Sequence, residues 1–558
     1  MNVLGISEPH CDSSCALVSG GNLLLAVGEE RFTRKKRHKG FPHKSIQWVL
    51  REAGLRLQDI DKIAVAKFSP YEDVGPYVNA LRHHYSSQQP RASPWQLLLD
   101  RMIWQIGNVG YCYQASYRLN AEIARWARRN RIDDSQLVRV DHHSAHAYSA
   151  FYCSGFDSAL VVTMDGQGAG ICATVSEARE GNLKRVHAVA LPNSVGQFYT
   201  LITLAAGFVM NRHEGKITGL AAAGELQQPV QDFVDGLIEF RDGTICSHAI
   251  FGNFFKLRSL MTQHRLEDVC YSFQARLEQV VLQYVAYYLR RSTGLKNLAL
   301  GGGVFANVRL NQKLAGLPGI GDLFVYPNMG DGGSCVGAAY MVQPPAHPKV
   351  LRNLFLGPSF SQQQVVRELR RVGIPYTIPS DLPRAVAEIL AQGKAVGRFS
   401  GAMEFGPRAL GNRSILMSAN DSRATYRLNR LLSRSDFMPF APATMTKLAT
   451  SCYLVGTNVG VPLEMMTISV DCTDWMKRAC PAAVHVDGTA RPQLVPPGSE
   501  YHDILEHYFE LTGRPALINT SFNVHEEPIV CSPQDAIRTY VTSGLDALAI
   551  EGLLVARR

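Results

Sequence analysis

Two mainly apolar runs in the first half of the chain end directly at acidic, glycine-rich stretches. Residues 159–164 run into Asp165-Gly166-Gln167-Gly168, and residues 323–326 precede the stretch 328–333, which contains Asp331. Residues 298–300 run into three consecutive glycines in the same way. A short apolar run bounded by glycine is typical of a buried strand. The pattern predicts an α/β fold with polar groups at the ends of buried strands.

The repeated strand-to-turn unit indicates an internal duplication. Residues 14–27 are predicted to form a hairpin, residues 43–53 an amphipathic helix, and residues 63–65 and 137–140 short strands. This organisation is similar to the actin/hexokinase-like ATPase fold, in which two α/β lobes close on a nucleotide. The proline-rich stretch 343–349 is the best linker candidate. We therefore expect one domain at 1–347 and a second α/β domain at 348–558.

Composition narrows the class of protein. The 558 residues are 46% hydrophobic and 19% charged, as in a soluble globular protein. No run approaches the roughly 18 apolar residues that would span a bilayer, and no basic leader precedes the first predicted strand, so a cytoplasmic location is predicted. The net charge of +9 is too dispersed to predict nucleic-acid binding. The basic run 31–37 (RFTRKKR) fits a phosphate or RNA patch, or equally a solvated face.

The sharpest chemical motif is residues 141–147 (DHHSAHA). If the chain is helical from Ser144 onwards, His142 and His146 lie one turn apart on one face and can hold a single metal ion. The alternative is a surface or core pair without a ligand. Asp165 and Asp331, each at the end of a predicted strand, favour the metal site. Two imidazoles and two carboxylates suit iron(II), manganese or zinc.

Glycine and arginine clusters predict sites for phosphate groups. Residues 301–303 and 215–221 offer backbone that a nucleotide can approach, although tight structural turns are an equal alternative. The stretch 401–414 contains two arginines on a turn with glycine and proline, with further arginines upstream and downstream. Guanidinium groups match phosphate oxygens, and rigid backbone argues against mere surface ion pairs. The residues concerned are Lys216, Gly219, Gly302, Gly303, Asn307, Arg398, Arg408, Arg413, Arg491, Asn519, Ser521 and Asn523.

These motifs, in this order, resemble the bacterial O-carbamoyltransferases of nodulation-factor and antibiotic tailoring pathways. The resemblance covers nearly the whole chain, and it also includes residues 29–36, 485–493 and 519–523. It implies that the first domain is similar to tRNA threonylcarbamoyl-transferring proteins, with an actin-like fold. It implies that the second domain is similar to threonylcarbamoyl-adenylate synthases.

The resemblance also implies a reaction and its participants. ATP and carbamoyl phosphate, with Mg²⁺, would give carbamoyl adenylate in the second domain. The first domain, holding Fe(II) or another divalent metal, would transfer the carbamoyl group to a hydroxyl of a small molecule, such as an antibiotic or other secondary metabolite. The implied metal ligands are His142, His146, Asp165 and Asp331. The implied adenylate-forming residues include Arg398, Arg408, Arg413, Asn519 and Ser521, with Arg408 and Arg413 as catalytic groups.

Several points stay open at this stage. The family histidine that is a candidate base for the acceptor aligns with Cys11, so His10, one residue earlier, is the catalytic candidate. Residues 70–106 are either an acceptor pocket or a structural lid. A homodimer is compatible with the sequence, whereas nucleic-acid and membrane partners are not expected. The alternatives are a tRNA threonylcarbamoyl transferase and an ATPase-like binding module without turnover.

Overall fold

The structure is a computed structural model that describes residues 1–7, 12–67, 93–103, 110–168, 170–432, 440–456 and 458–557, with residues 110–119 as backbone alone. The chain divides into two compact units. The first comprises Met1–Leu24 and Lys39–Leu351, and the second comprises Leu25–His38 and Arg352–Arg558. The predicted boundary at 347/348 did not anticipate that residues 25–38 group with the second unit. His10 and Cys11 lie outside the described residues, as do 70–92 and 104–106 of the acceptor segment.

The described strands fall mainly into three large sheets and were numbered along the chain. They are β1 (Asn2–Ile6), β2 (Ser14–Ser19), β3 (Asn22–Gly28), β4 (Lys62–Lys67), β5 (Leu137–Asp141), β6 (Ser158–Gly168), β7 (Ile171–Arg179), β8 (Asn182–Ala190), β9 (Ile238–Arg241), β10 (Thr244–Ser247), β11 (Leu298–Gly301), β12 (Leu323–Val325), β13 (Val396–Phe399), β14 (Arg413–Ser418), β15 (Ala441–Met445), β16 (Tyr453–Leu454), β17 (Val470–Cys472), β18 (Thr489–Ala490), β19 (Gln493–Val495), β20 (Ala516–Ser521), β21 (Ala547–Ile550) and β22 (Leu553–Ala556).

The described α-helices connect and cover these sheets. They are α1 (Glu30–Thr33), α2 (His43–Glu52), α3 (Pro94–Met102), α4 (Gly110–Arg129), α5 (His142–Tyr152), α6 (Val195–Ala205), α7 (Glu214–Ala221), α8 (Gln228–Asp235), α9 (Phe254–Met261), α10 (Leu266–Arg291), α11 (Val308–Ala315), α12 (Ser334–Val342), α13 (Gln362–Arg371), α14 (Leu382–Ala391), α15 (Arg423–Leu431), α16 (Ala449–Cys452), α17 (Gly460–Glu464), α18 (Asp474–Ala479), α19 (Glu500–Thr512) and α20 (Pro533–Ser543). Among the residues described, no helix is long and apolar enough to cross a membrane.

Two five-stranded sheets, which lie mainly in the first unit, repeat one topology. The first has the order β3-β2-β1-β4-β5 and the second the order β8-β7-β6-β11-β12. In each, an antiparallel partner flanks the first strand on one side, and two parallel strands follow on the other. The central parallel strands β1, β6 and β11 are mainly apolar and buried where they pair, as is usual where helices cover both faces. The predicted duplication into two α/β lobes is therefore confirmed.

The second unit contains a mixed seven-stranded sheet with the order β19-β15-β20-β14-β13-β21-β22. Helices α14 and α19 cover one face, where Val386, Leu390, Ile504 and Tyr508 join the apolar side chains of the strands in one buried cluster. Helix α14 starts with Asp381 accepting the amide of Arg384, and α19 with Ser499 accepting that of His502, so both begin with capped N-termini. The α/β class predicted for this half is confirmed.

Helix α5 packs unusually close to its neighbours in the first unit. A Cβ atom at Gly337 of α12 would overlap the carbonyl oxygen of Ala145 in α5, and one at Gly301 would lie 2.8 Å from the carbonyl oxygen of His146. Glycine at these positions lets the backbones of α12 and β11 touch that of α5. The position of α5 is therefore fixed by backbone contact from two sides.

We predict that Gly337→Ala lowers the stability of the first unit by about 1–3 kcal/mol, because the added methyl group overpacks the contact with α5. Gly215→Ala in α7 of the same unit is the matched control, since nothing lies within 4 Å of its Cβ position. Denaturant unfolding followed by tryptophan fluorescence measures both variants. An unfolding curve for Gly337→Ala that coincides with that of the control would contradict the packing described.

Candidate functional site

A four-residue cluster lies where α5 meets the ends of two strands in the first unit. His142 and His146 are on α5, Asp165 is in β6, and Asp331 begins a short 3-10 helix after β12. Their ligand atoms all lie within 4.8 Å of one another. The structure therefore brings together the four residues that the sequence singles out as metal ligands.

The local sequence accounts for the position of the two histidines. Asp141 precedes α5, and its Oδ1 accepts hydrogen bonds from the amide and hydroxyl of Ser144, each at 2.8 Å. Arg185 also donates to this oxygen. Burial would raise the pKa of Asp141, but Arg185 and Ser144 outweigh it and lower the pKa to about 2. A permanently ionised cap thus starts the helix at His142, two residues earlier than the sequence predicted.

Asp165 is oriented by a β-bulge rather than by the predicted turn. The pairing of β6 with β7 shifts register between Met164 and Gly168, so the intervening residues leave the ladder. Asp165 Oδ1 accepts the amide of Gly166 at 2.8 Å, and Oδ2 accepts that of Gly303 at 3.1 Å. Two backbone amides therefore fix the carboxylate, and the glycine at 303 supports a candidate metal ligand.

The spacing within the cluster fits one cation. His146 Nε2 lies 3.4 Å from Asp165 Oδ2 and 3.7 Å from Asp331 Oδ1, and His142 Nε2 lies 3.8 and 3.9 Å from the same oxygens. These separations are too long for good hydrogen bonds. Tetrahedral ligands about 2.1 Å from an ion are roughly 3.4 Å apart, close to the observed values.

Electrostatics keeps both carboxylates charged. Burial and the neighbouring Asp165 would raise the pKa of Asp331, but His146 and His142 outweigh them and lower it. Burial would likewise raise the pKa of Asp165, and the same histidines hold it well below its usual range. The pKa of His146 is raised, because the two carboxylates outweigh its burial. Protonated imidazole balances these carboxylates when no ion is bound, and a divalent cation held by neutral imidazoles would supply the same positive charge.

The third histidine of the motif has a different role. His143 Nε2 lies 3.1 Å from the carbonyl oxygen of Ile171, which can only accept, so Nε2 bears the proton. Its Nδ1 then accepts from Thr163, 2.8 Å away, and burial lowers the pKa of His143 to about 3. His143 is a neutral, satisfied core side chain. The sequence alone does not separate His143 from the two candidate ligands, because the difference depends on which neighbours contact each imidazole ring.

The glycines at 301–303 are explained by close backbone approach. Gly302 has φ of 99°, and a Cβ atom there would overlap the carbonyl oxygen of Met164. Asn307 caps α11 by accepting the amide of Leu310 at 3.1 Å, and it donates to Gln274 at 2.8 Å. The nucleotide contacts predicted for Gly302, Gly303 and Asn307 stay predictions.

The second glycine cluster, 215–221, is neither a loop nor a tight turn. It forms α7, which includes Lys216 and Gly219, and Thr218 Oγ1 lies 3.0 Å from the hydroxyl of Tyr199. Lys216 Nζ lies 5.4 Å from the centre of the Phe208 ring. The tight-turn alternative is wrong for this stretch, since two glycines do not stop a helix that buries Ile217 and Leu220. The nucleotide-binding role of Lys216 and Gly219 stays a prediction.

In the second unit, residues 404–413 form a loop that we call the arginine loop. Glu404 is 3% exposed, and its Oε1 accepts the amides of Leu410, Asn412 and Arg413 at 2.8–3.0 Å. Gln493 donates to the carbonyl of Leu410 at 2.7 Å. The sequence identified this stretch by its arginines, but the loop is organised by a carboxylate to which no role was assigned.

Arg413 and Arg398 are used inside the second unit. Arg413 is fully buried and donates to the carbonyls of Pro358, Ser400, Gly401 and Asn412 at 2.9–3.1 Å. Its guanidinium lies 3.6 Å from the centre of the Phe399 ring, and burial lowers its pKa to about 10. Arg398 donates to Gly411, Asn412 and Glu500 at 2.8–3.1 Å. Both arginines shape the loop, and their roles toward a substrate stay predictions.

Arg408 and Arg491 differ from these two. Within the part of the chain that the structure describes, neither has a hydrogen bond or an ion pair, and their Nε atoms are buried. Burial lowers the pKa of Arg408 to about 10. Burial and repulsion by Arg408 hold the pKa of Arg491 well below its usual range. Two guanidinium groups that repel each other, with no acidic partner among the described residues, are suited to bind an anion.

Neutral hydrogen-bonding groups lie on the neighbouring strand β20 and just beyond it. Asn519 Nδ2 donates to the carbonyl of Ala409 at 3.0 Å and to Gln493 at 2.7 Å, and its Oδ1 is buried without a hydrogen-bond partner among the described residues. Ser521 donates to Asn523 Oδ1 at 2.5 Å. Asn519 is thus joined to the arginine loop, whereas Ser521 and Asn523 bond to each other.

We predict that the full-length protein, loaded with Fe(II) or Mn(II) and desalted, retains one ion per chain. His146→Gln and Asp331→Asn should each weaken binding by at least about 100-fold, because they remove a ligand. His143→Gln is the matched control on the same helix. It should keep the ion but lose about 1–3 kcal/mol of stability through unsatisfied partners. Elemental analysis and thermal unfolding measure both effects. Metal loss in the His143 variant alone would contradict the ligand assignment.

Comparison with known proteins identifies the family. The chain matches the family models described as carbamoyltransferase N-terminus over residues 2–340 and carbamoyltransferase C-terminus over residues 387–557. It is 31% identical to the uncharacterized protein sll1178 of Synechocystis, over 100% of this chain and 97% of that protein. It is also 31% identical to the nodulation protein NolNO of Sinorhizobium fredii, over 98% of this chain and 79% of that protein.

A solved structure, component A of the (R)-2-hydroxyglutaryl-CoA dehydratase of Acidaminococcus fermentans, matches with a TM-score of 0.35 at 13% identity. This match covers 61% of this chain and 97% of that one. The two family matches together span most of the chain, with one break between them. The chain therefore belongs to the carbamoyltransferase family and is a carbamoyltransferase enzyme.

Proposed function

We propose that this carbamoyltransferase uses ATP and carbamoyl phosphate to form carbamoyl adenylate in its second unit. The carbamoyl group then passes to a hydroxyl of a small molecule at the metal centre of the first unit. The observation that supports this most is the pair Arg408 and Arg491, two guanidinium groups without an acidic partner among the described residues. A phosphate-bearing substrate supplies the missing negative charge.

The first step consumes one water molecule and releases phosphate and pyrophosphate. Water cleaves carbamoyl phosphate to carbamate and phosphate, a carbamate oxygen attacks the α-phosphorus of ATP, and pyrophosphate leaves. Negative charge accumulates on the transferring phosphoryl group, and fixed guanidinium groups stabilise it. Arg408 and Arg491 would perform this role, while the unpaired Oδ1 of Asn519 offers an acceptor for the amide of the carbamoyl group. Mg²⁺ would accompany the nucleotide.

In the second step, the acceptor hydroxyl attacks the carbamoyl carbon and AMP leaves. His142, His146, Asp165 and Asp331 would hold the divalent cation, of which Fe(II) is the proposed identity. Such an ion would act as a Lewis acid, polarising oxygen atoms and stabilising the negative charge that develops on them. Lys216, Gly219, Gly302, Gly303 and Asn307 are the proposed nucleotide contacts of this unit. His10 is the proposed base for the hydroxyl proton.

The acceptor is proposed to be a small molecule of secondary metabolism, such as an antibiotic. The two-step scheme accounts for the second unit, which a tRNA-modifying protein without an adenylating domain would not need. The dispersed net charge of +9 over 558 residues gives no basis for nucleic acid as the acceptor. A cytoplasmic enzyme with access to ATP fits the proposed reaction.

We predict that Arg408→Ala slows carbamoyl-phosphate-dependent pyrophosphate release by about 100-fold or more, because a fixed charge at the reacting phosphate is lost. His142→Ala should leave this release within a few-fold of wild type, yet abolish transfer to an acceptor. The acceptor is found by screening small-molecule alcohols by mass spectrometry for the mass gain of one carbamoyl group.

Arg423→Ala is the control for Arg408→Ala, since the Arg423 side chain is 89% exposed and pairs with Asp421 at the surface. It should behave as wild type in both assays. If Arg408→Ala and His142→Ala fail at the same step, the assignment of the two steps to two units is wrong.

A further inference from the structure

The basic run 31–37 has no role in the proposed reaction. The structure shows which groups Arg31 and Arg34 of this run contact. Residues 25–38 belong to the second unit. Within them, α1 spans Glu30–Thr33 and ends at Arg34, which has a left-handed backbone with φ of 59°. Lys35 is exposed, whereas Arg31 is 6% exposed. The run is therefore not a uniform charged face.

Arg34 anchors this segment to residues 528–535, around the start of α20. Its Nη1 donates to the carbonyl of Ile529 and its Nη2 to that of Pro528, both at 2.7 Å. Its Nε lies 3.2 Å from Asp535 Oδ1, while Asp535 Oδ2 accepts the amide of Ser532 at the start of α20. The guanidinium is thus committed to protein groups and is not available to bind RNA or phosphate.

Arg31 contacts the arginine loop itself. Its Nη2 donates to the carbonyl of Gly406 at 2.8 Å, and its Nη1 lies 3.1 Å from Glu30 Oε1. Gly406 has φ of 134°, which favours glycine. Pro407 and then Arg408 follow directly, so the bonded carbonyl is two residues from the proposed phosphate-binding side chain.

Phe32 adds an apolar contact to the same loop. It packs on a buried cluster that consists of Met403, Ala409, Ile529 and Cys531. Two of these residues flank the part of the arginine loop that includes Arg408. The segment therefore bonds to the loop at Gly406, just before Arg408, and packs against a cluster that includes Ala409, just after it.

We propose that Arg31 is a positioning residue for Arg408, so that a segment near the start of the chain completes the adenylate-forming site of the second unit. This inference rests on the proposed role of Arg408 in adenylate formation. Glu404 fixes the amides of Leu410, Asn412 and Arg413, which follow Arg408. Arg31 fixes the carbonyl that precedes it. With both ends held, the guanidinium of Arg408 is presented in one place.

The experiment compares Arg31→Met, Arg31→Lys and Arg34→Met in the full-length protein. Carbamoyl-phosphate-dependent pyrophosphate release gives kcat and KM, and hydrogen exchange reports the amides of Leu410–Arg413. Arg31→Met should lower kcat/KM on the order of 10- to 100-fold, because a small displacement of a charge at the reacting group is costly. It should also speed exchange in the loop. Arg31→Lys, which retains a donor, should recover much of both.

Arg34→Met is the matched control, since it removes a second, largely buried arginine anchor of the same segment that does not contact Gly406. It should lower the thermal midpoint at least as much as Arg31→Met, with kcat/KM within a few-fold of wild type. Equal kinetic effects of the two methionine variants, or no rescue by lysine, would overturn the inference and leave the proposed function intact. If wild type releases no pyrophosphate, the proposed function fails. Unchanged loop exchange in Arg31→Met would then refute the contact as well.

Discussion

The functional interpretation depends on one constraint: in each unit, side chains of like charge lie close together at partly or fully buried positions. In the first unit the carboxylates of Asp165 and Asp331 are ionised beside each other. In the second unit Arg408 repels Arg491, and both lack an acidic partner among the described residues. Such groupings are costly unless a ligand of opposite charge binds. A cation fits the first and a phosphate anion fits the second, which supports the proposal that each unit performs one half of the carbamoyl-transfer reaction.

Each site is positioned by backbone contacts that few side chains would tolerate. A Cβ atom at Gly168 would overlap the ring of His142, and one at Gly302 would overlap the carbonyl of Met164. Gly303 and Gly166 supply the amides that orient Asp165. In the second unit a single oxygen of Glu404 gathers three amides of the arginine loop. Contacts with the uncharged backbone thus hold in place charged side chains that repel each other.

The sequence predicted those features that follow from spacing along one element. His142 and His146 are four residues apart on a helix, and the apolar runs before Asp165 and Asp331 are buried strands, so the four ligands could be named together. The duplicated α/β organisation followed from the same repeated pattern. Arg408 and Arg491 could be singled out because glycine and proline surround the first and family resemblance includes the second.

What the sequence could not predict depends on long-range partners. His143 looks like a third ligand until Thr163 and Ile171 are seen to satisfy its ring. Arg413 has the same motif context as Arg408, yet four carbonyl groups occupy its guanidinium. Arg31 is about 375 residues from Gly406 along the chain, and no local pattern links them. The sequence also allowed a tight turn at residues 215–221, where tertiary packing favours a helix despite two glycines.

The most direct test of the central claim is a single-turnover reaction of the full-length enzyme with ATP and carbamoyl phosphate labelled in its carbamoyl group, without any acceptor. After acid quenching and chromatography, the label should appear in carbamoyl adenylate, in an amount stoichiometric with the enzyme and with the pyrophosphate formed. Label that stays in carbamoyl phosphate while ATP is unchanged would contradict the account. The enzyme would then not form the adenylate whose formation is assigned to Arg408 and Arg491.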